Sequence, residues 1–363
     1  MVKVILISQI QLPFDKIGSW TTLYKNYLAK SSLIDYLVCK KPLNEFPSVK
    51  YSFVDSTWFS KIKKKIKRNP YLDYFEALFK IINSNQKFVI QVVDNFGIIK
   101  PLQQELVKKG LRENCYIQFF YHGYSPFCKN IEQSWFFEYI DEMILLTYLS
   151  YEEHKKYYTV LPTRFSVLHN GIDTHKFRTV SPVEKVALKE RFNVYAKTVF
   201  VWCSQDRPKK GLHIVLDAWQ QVHQQQPNTV LWVIGCEPKT PQEGVEYLGK
   251  IPNDELPKYF QISDCYLFPT LCHEGFGMSL IEALHCGNYC IASSIGGVPE
   301  VLQYGKLGKL IDTPHFVSSW EDAMITYLDN RPEASTLPSE LYSAEAWALG
   351  MNTIINNAER YFL

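Results

Sequence analysis

The chain has 363 residues, of which 46% are hydrophobic and 21% are charged, and its formal net charge is +2. This length is too great for one core and fits two domains, while the near-neutral charge gives no support to nucleic-acid binding. The nine cysteines form no Cys-x-x-Cys pair and no signal peptide is seen, so we expect reduced thiols in a cytoplasmic protein. No apolar run reaches the roughly 18–20 residues that a membrane span requires.

Short apolar runs alternate with helix-compatible segments along the first half of the chain. A β-rich run opens the sequence at residues 2–8, and a helical stretch with Tyr24 and Leu28 follows a loop at Gly18. Further runs at 36–39, 88–93, 116–121, 143–147 and 165–168 are typical of buried strands. This alternation predicts a doubly wound parallel sheet.

The same alternation begins again after residues 179–193, which we interpret as a polar connection. We predict strands at 199–203, 230–234, 245–248 and 265–268, and helices at 211–226 and 278–286. A short helix is predicted at 254–260, with Asn253 as its N-terminal cap. The final segment, 343–363, has apolar residues at helical spacing and therefore predicts a helix with one buried face.

The segment from Glu274 to Glu282, with the sequence EGFGMSLIE, follows the strand at 265–268 and enters a helix. Gly275 and Gly277 would let the backbone approach a ligand closely, where the N-terminus of a helix favours an anion. One carboxylate at the loop and a second inside the helix could hold two parts of one ligand. A strand, glycine loop and helix are nevertheless common, and Glu282 alone would more often be a solvated helix residue.

Two other catalytic motifs are excluded by single residues. His273-Glu274 does not begin a zinc-binding HExxH motif, because Gly277 stands where the second histidine is required. The loop is not a dinucleotide fingerprint either, because Leu280 replaces the third glycine.

The E-x7-E pattern, continued by Ala283-Leu284-x-x-Gly287, resembles the motif of the family 4 retaining glycosyltransferases. Their other motifs are similar to the segments NGIDTHKF at 170–177, Lys210-Gly211, VEYLG at 245–249 and GVPEV at 297–301. The resemblance covers nearly all of residues 165–305. It implies the GT-B fold, an α/β architecture in which two Rossmann-like doubly wound domains face a cleft and a C-terminal helix crosses back. We place the acceptor domain at 1–175, the donor domain at 176–340 and the crossover helix at 341–363.

The resemblance also implies roles for residues of the second domain. Glu274 would contact the hydroxyls of the donor sugar, Glu282 the ribose, and Lys210 the diphosphate. The rest of the loop would hold the sugar and phosphates, and the backbone at 248–251 would contact the base; these positions include Gly275, Phe276, Gly277, Met278, Ser279, Lys250 and Ile251.

One position departs from the family pattern. The family usually has an arginine five residues before its lysine, where this chain has Gln205. Arg207 is the candidate replacement at the phosphate, and Lys209 is an alternative.

In the first domain, His122 follows the strand at 116–121, at the sheet edge where α/β proteins bind ligands. It resembles the family histidine that lines the sugar cleft, although a lone histidine is as often a packed residue. The loop at 15–20, which contains Gly18, corresponds to the family's glycine-rich loop on the acceptor side. Its usual second glycine is absent.

Together with the resemblance, which implies retention of the anomeric configuration, these features predict a retaining, metal-independent hexosyltransferase. The sequence contains no Asp-x-Asp, so we expect no metal and no cofactor, with Lys210 and the helix N-terminus supplying positive charge. The expected partners are a nucleotide-sugar donor, a UDP-sugar rather than a GDP-sugar, and a glycan or lipid-linked acceptor in polysaccharide or lipopolysaccharide biosynthesis. Open alternatives are a non-catalytic nucleotide-sugar-binding protein, another GT-B enzyme such as a phosphorylase or an epimerase, and a nicotinamide-dependent oxidoreductase.

Residues 57–68, TWFSKIKKKIKR, concentrate six basic residues and two aromatic residues. On a helix, Trp58, Phe59, Ile62 and Ile66 fall close to one face, a pattern typical of helices that lie on an anionic membrane surface. The alternative is a solvated helix whose apolar side packs on the first domain.

Overall fold

The computed structural model describes residues 2–14, 18–30, 32–55, 57–126, 135–157 and 163–362. The chain divides into two compact units, the first formed by Met1–Asn170 together with Ala344–Leu363 and the second by Gly171–Ser343. The division falls a few residues before the sequence-based boundary at 175, and the C-terminal segment belongs to the first unit.

The first unit is built on a parallel sheet of seven strands in the order β3-β2-β1-β4-β5-β6-β7. The strands are β1 (Lys3–Ile7), β2 (Tyr36–Cys39), β3 (Lys50–Phe53), β4 (Phe88–Val93), β5 (Cys115–Tyr121), β6 (Glu142–Leu145) and β7 (Arg164–Val167). The helices between them are α1 (Ser19–Lys30), α2 (Trp58–Ile66), α3 (Leu72–Leu78), α4 (Phe96–Lys108), α5 (Trp135–Tyr139) and α6 (Tyr148–Lys155). All six residues of β4 are buried, Gln91 among them, as the mainly apolar run predicted for a strand covered on both faces.

The second unit contains a parallel sheet of six strands in the order β10-β9-β8-β11-β12-β13. The strands are β8 (Thr198–Cys203), β9 (Thr229–Ile234), β10 (Val245–Gly249), β11 (Cys265–Phe268), β12 (Tyr289–Ser293) and β13 (Gly308–Ile311). Its helices are α7 (Pro182–Arg191), α8 (Leu212–Gln225), α9 (Leu256–Ile262), α10 (Met278–His285), α11 (Val298–Val301) and α12 (Val317–Asn330). In both units the order in which successive strands join the sheet reverses beside the first strand. This is the doubly wound arrangement that the sequence predicted.

The interpretation of residues 179–193 as a connection is wrong, because the segment contains the helix α7. Ser181 caps this helix by accepting a hydrogen bond from the backbone N–H of Glu184, and Pro182 occupies its first turn. No residue of α7 is fully buried. The apolar periodicity that reveals most helices is therefore weak here.

The predicted start of the helix at 254 is also wrong. Helix α9 begins at Leu256, after Glu255, without a side-chain cap. Asn253 does not cap it, because its Oδ1 accepts a hydrogen bond of 2.6 Å from Lys176 Nζ. A tertiary contact therefore takes the side chain that the local sequence assigned to the helix terminus.

The C-terminal helix α13 (Ala344–Glu359) packs on the sheet of the first unit. Trp347 is buried and makes edge-on ring contacts with Tyr24 and Tyr27, at 5.4 and 5.6 Å between ring centroids. Beneath the helix, a buried polar row crosses the sheet: Gln91 donates to Gln118 at 3.0 Å, and Gln118 donates to Glu142 at 2.8 Å. The helix thus docks over a hydrogen-bonded polar row inside an apolar core, in which the Oε1 of Gln91 is left without a hydrogen-bond donor.

We expect Trp347→Ala to lower the free energy of unfolding of the first unit by about 3–5 kcal/mol, because it empties a large buried site. Leu349→Ala on the same helix is the matched control, since Leu349 is 69% exposed, and should change it by less than about 0.5 kcal/mol. Urea denaturation gives the energies, and hydrogen exchange assigns the loss to a unit. Equal effects of the two variants would contradict this docking of α13.

Candidate functional site

The residues predicted to bind the donor lie along the carboxyl edge of the second sheet. All of its strands are parallel, so the segments that follow them emerge at one edge. The order reverses between β8 and β11, which leaves a crevice where doubly wound sheets bind ligands. The segment after β8 carries Lys210, and the segment after β11 carries Glu274.

The loop after β8 is fixed against the loop after β11 by backbone contacts. A 3-10 turn at Pro208–Lys210 ends at Gly211, whose φ is +69°. A Cβ on Gly211 would lie 1.8 Å from the carbonyl oxygen of Pro269, so only glycine allows this approach. The backbone N–H of Leu271 donates to the carbonyl oxygen of Lys209 at 2.8 Å. The Lys210-Gly211 pair therefore brings the two loops together.

Glu274 is held both through its side chain and through its backbone. Its carboxylate forms an ion pair with Lys210 Nζ and accepts a hydrogen bond of 3.2 Å from the hydroxyl of Thr270. Its carbonyl oxygen accepts from the N–H of Gly297 at 2.8 Å. Gly296 packs against the same backbone, since a Cβ there would lie 2.5 Å from the Glu274 carbonyl oxygen. The two charged residues thus meet at the crevice with a fixed orientation.

Helix α10 begins at the same loop. Gly277 is its N-terminal cap, with φ of +99°, and no side chain caps the helix. Phe276 is buried, with an edge-on contact of 5.3 Å to Tyr342, so its side chain anchors the loop. Ser279 accepts a hydrogen bond of 2.8 Å from the hydroxyl of Tyr266. With Gly275 and Met278 beside them, these positions present the helix N-terminus, which favours negative charge, at the sheet edge.

Glu282 lies in the second turn of α10 and is partly buried. Burial raises its pKa to about 8, against the opposing effects of the Lys176 charge and of a hydrogen bond from Asn253. Asn253 in turn accepts from Lys176 Nζ. Lys176 therefore acts on Glu282 through its charge and through Asn253, separately from the Lys210–Glu274 pair.

The segment after β10 follows the outermost strand of the second sheet, at the same carboxyl edge. Gly249 has φ of +65°, and its carbonyl oxygen accepts a hydrogen bond of 2.7 Å from the N–H of Gly235. Lys250 is exposed and Ile251 is half-buried. The predicted contact of this backbone with the base stays a prediction.

Arg207 is exposed, at the start of the 3-10 turn that carries Lys210. Lys209 in the same turn is also exposed. Lys210 therefore forms an ion pair with Glu274, whereas the side chain of Arg207 is exposed to solvent. A contact between Arg207 and a phosphate stays a prediction.

In the first unit, His122 follows β5 at the carboxyl edge of the sheet. Its Nδ1 lies 3.1 Å from a carboxylate oxygen of Asp94, and its backbone N–H donates to the other oxygen at 2.8 Å. Trp20 of α1 stacks on the imidazole, with 6.4 Å between ring centroids. Gly18 lies at the start of α1, where its carbonyl oxygen accepts from the hydroxyl of Thr22 at 2.8 Å; residues 15–17 of the predicted loop lie outside the described residues.

Sequence reasoning missed several residues that support the predicted ones. Asp94, next to His122, has a left-handed φ of 49° directly after β4, and such backbone conformations cluster at functional sites. An aspartate after a predicted strand could have indicated it. Lys176 and Gly296 carried no comparable signal, because their partners are distant in the sequence; Thr270 lies only four residues before Glu274, but no motif marked it.

Comparison with known proteins finds a family similarity in the second unit. Residues 188–343 match the family model of glycosyl transferases group 1. The GDP-mannose-dependent alpha-(1-6)-phosphatidylinositol monomannoside mannosyltransferase of Mycolicibacterium smegmatis is 30% identical over 159 residues, which cover 39% of this chain and 41% of that protein. The chain thus spans less than half the length of the relatives that it matches first.

Two solved structures are similar in fold over nearly the full length of the chain. Sucrose-phosphate synthase from Thermosynechococcus elongatus superimposes with a TM-score of 0.73 at 16% identity, covering 99% of this chain and all of that one. Anabaena HepE, solved with UDP and glucose, gives 0.69 at 14% identity, covering 98% of this chain and all of that one. These similarities confirm the predicted GT-B fold. The family match lies within the second unit and includes both loops of the crevice, so residues 188–343 are similar to the glycosyl transferases group 1 family.

Proposed function

We propose that this protein is a retaining, metal-independent glycosyltransferase that moves a hexose from a nucleotide-sugar donor to a glycan or a lipid-linked acceptor. The observation that carries the proposal is the Lys210–Glu274 ion pair at the β8/β11 crevice, inside the segment that matches the family. A lysine beside a carboxylate can bind the two parts of such a donor, its phosphates and its sugar hydroxyls.

In this proposal the donor diphosphate lies at the N-terminus of α10, where Lys210 and the helix dipole stabilise the charge that develops on it. Glu274 accepts hydrogen bonds from the sugar, and a role for His122 stays a prediction. The bond between the anomeric carbon and the phosphate oxygen breaks, and the acceptor oxygen bonds to that carbon on the same face. The acceptor's proton passes to the departing phosphate, so no enzymic nucleophile is required.

Glu282 is proposed to bind the ribose hydroxyls. An ionised carboxylate accepts such hydrogen bonds, but burial opposes its ionisation, as the raised pKa shows. Lys176 and Asn253 offset this cost in part. In this proposal the ionised Glu282 carboxylate destabilises the protein without donor. When the donor binds, the ribose hydroxyls donate hydrogen bonds to this carboxylate.

The donor and the acceptor belong to the proposal. The M. smegmatis relative is named for GDP-mannose and a phosphatidylinositol mannoside, whereas HepE was solved with UDP and glucose. We therefore propose GDP-mannose and UDP-hexoses as the first donors to compare, and the preference for UDP stays a prediction. No helix in the described part of the chain combines the length and apolar character needed to cross a bilayer. We propose a peripheral protein on the cytoplasmic side, active in cell-envelope glycan synthesis.

The two glutamates should affect different steps. Glu282→Ala should mainly raise the dissociation constant of the donor, and Glu274→Gln should mainly lower kcat, because each loses charged hydrogen bonds worth about 1.5–3 kcal/mol, or about 10–150-fold. Calorimetric titration and a product assay measure the two quantities, with Glu333→Gln, an exposed site of the same unit, as control. Wild-type behaviour of both variants would refute the site. Donor binding without turnover by the wild type would indicate a binding protein.

Stability should depend on pH through Glu282. Its pKa is 4.5 in the unfolded chain and about 8 in the folded one, so its contribution is complete below about pH 4.5 and is lost as pH rises to about 8. Glu282→Gln has no ionisable group at this position and does not lose stability in this way. The difference in free energy of unfolding between this variant and the wild type should therefore grow in favour of the variant as pH rises to about 8. Urea denaturation across this range tests it, again with Glu333→Gln as control. A constant difference would show that Glu282 is not destabilised by burial.

Transfer should proceed at an unchanged rate in the presence of EDTA, because Lys210 and the helix N-terminus supply the positive charge. The measurement is initial rate with and without the chelator, using enzyme that has been dialysed against it. Loss of activity that manganese restores would overturn the metal-independent mechanism.

A further inference from the structure

Helix α2 is oriented in the opposite way to an ordinary surface helix. Amphipathic helices normally turn their apolar stripe toward the core. In α2, however, Ser60 is buried and Lys64 is partly buried, whereas Trp58, Phe59 and Ile66 are 67%, 71% and 75% exposed. The alternative suggested by the sequence, with the apolar side packed on the first domain, is therefore wrong.

The polar side of α2 is attached to α3 by charged contacts. Lys64 Nζ lies 2.6 Å from Asp73, whose side chain is almost fully buried, and Lys63 Nζ lies 3.4 Å from Glu76. At the N-terminus, Thr57 caps the helix through the backbone N–H of Ser60. These contacts fix the rotation of the helix about its axis, so the outward position of its apolar residues follows from specific interactions.

The exposed side chains form one continuous surface, which we call the α2 face: Trp58, Phe59, Ile62 and Ile66. At 3.6 residues per turn they span an arc of about 100°, and the rings of Trp58 and Phe59 are in edge-on contact at 5.3 Å. Lys61 and Lys65 lie along one flank of this arc and Lys63 along the other, and all three are exposed. Lys67 and Arg68, also exposed, follow directly.

We infer that the α2 face binds an anionic membrane surface. Aromatic and aliphatic side chains enter the boundary between headgroups and acyl chains, while flanking lysines, whose long stems reach back to the surface, meet anionic headgroups. A purely electrostatic partner would use the lysines but would leave the apolar residues in water. An apolar partner would leave the lysines without countercharge. The combination on one short helix favours the lipid surface.

The test is binding to vesicles of phosphatidylcholine with and without phosphatidylglycerol, measured by co-sedimentation with the full chain. Binding should require the anionic lipid and weaken with salt. Lys61→Glu together with Lys65→Glu should weaken it at least about tenfold. Lys40→Glu with Lys108→Glu, exposed lysines elsewhere in the same unit, makes the same change in net charge and should have little effect. Equal weakening by the two pairs would overturn the assignment.

A second measurement examines the apolar residues. Lipids brominated on their acyl chains should quench the part of the tryptophan fluorescence that is absent in Trp58→Phe, and Phe59→Ser with Ile66→Ser should weaken binding. These positions are exposed, so the substitutions leave the core intact, as circular dichroism will verify. Absence of quenching at Trp58, or equally strong binding to a soluble polyanion such as heparin, would refute the membrane surface. Neither assay contains a sugar donor, so its outcome is independent of the proposed transferase activity.

Discussion

The site depends on how closely the three backbone loops after β8, β11 and β12 approach one another at the edge of the second sheet. Gly211 lies against the Pro269 carbonyl, and Gly296 lies against the backbone of Glu274, at distances that leave no room for a side chain. These contacts place Lys210 and Glu274 on adjacent loops that could not otherwise meet. The Lys210–Glu274 ion pair thus depends on the close backbone approaches at Gly211 and Gly296. The charged residues alone would not create it.

The two carboxylates of the loop and helix have different environments. Glu274 is balanced by Lys210 and a hydroxyl, whereas Glu282 lies where burial raises its pKa to about 8, with only partial compensation. A group that is destabilised in the empty protein has the most to gain from a bound ligand, since binding supplies the hydrogen bonds that folding did not. This difference supports separate roles for two residues of the same type.

Two buried carboxylates of the first unit also have polar or charged partners. Glu142 is stabilised by a row of amides beneath α13, and Asp73 by Lys64 of α2. In α2 the ion pair with Asp73 has a visible effect, because it turns the polar side of the helix inward and the apolar residues outward. Charge pairing, and not hydrophobic burial, therefore sets the orientation of that helix.

The sequence by itself determined the doubly wound class of both units and the positions of strands such as β4, because a strand buried on both faces is mainly apolar. It also located the glycine loop and the glutamates at 274 and 282, since local spacing defines a strand, a loop and a helix N-terminus. Helix α7 was missed because it buries no apolar stripe, and β3 because its four residues alternate in polarity at a sheet edge. Only the tertiary structure decided that Asn253 binds Lys176 instead of capping α9, that Asp94 stands beside His122, and which side of α2 faces solvent. Each of these outcomes depends on a partner in another secondary-structure element or loop, and no local pattern encodes the choice between competing partners.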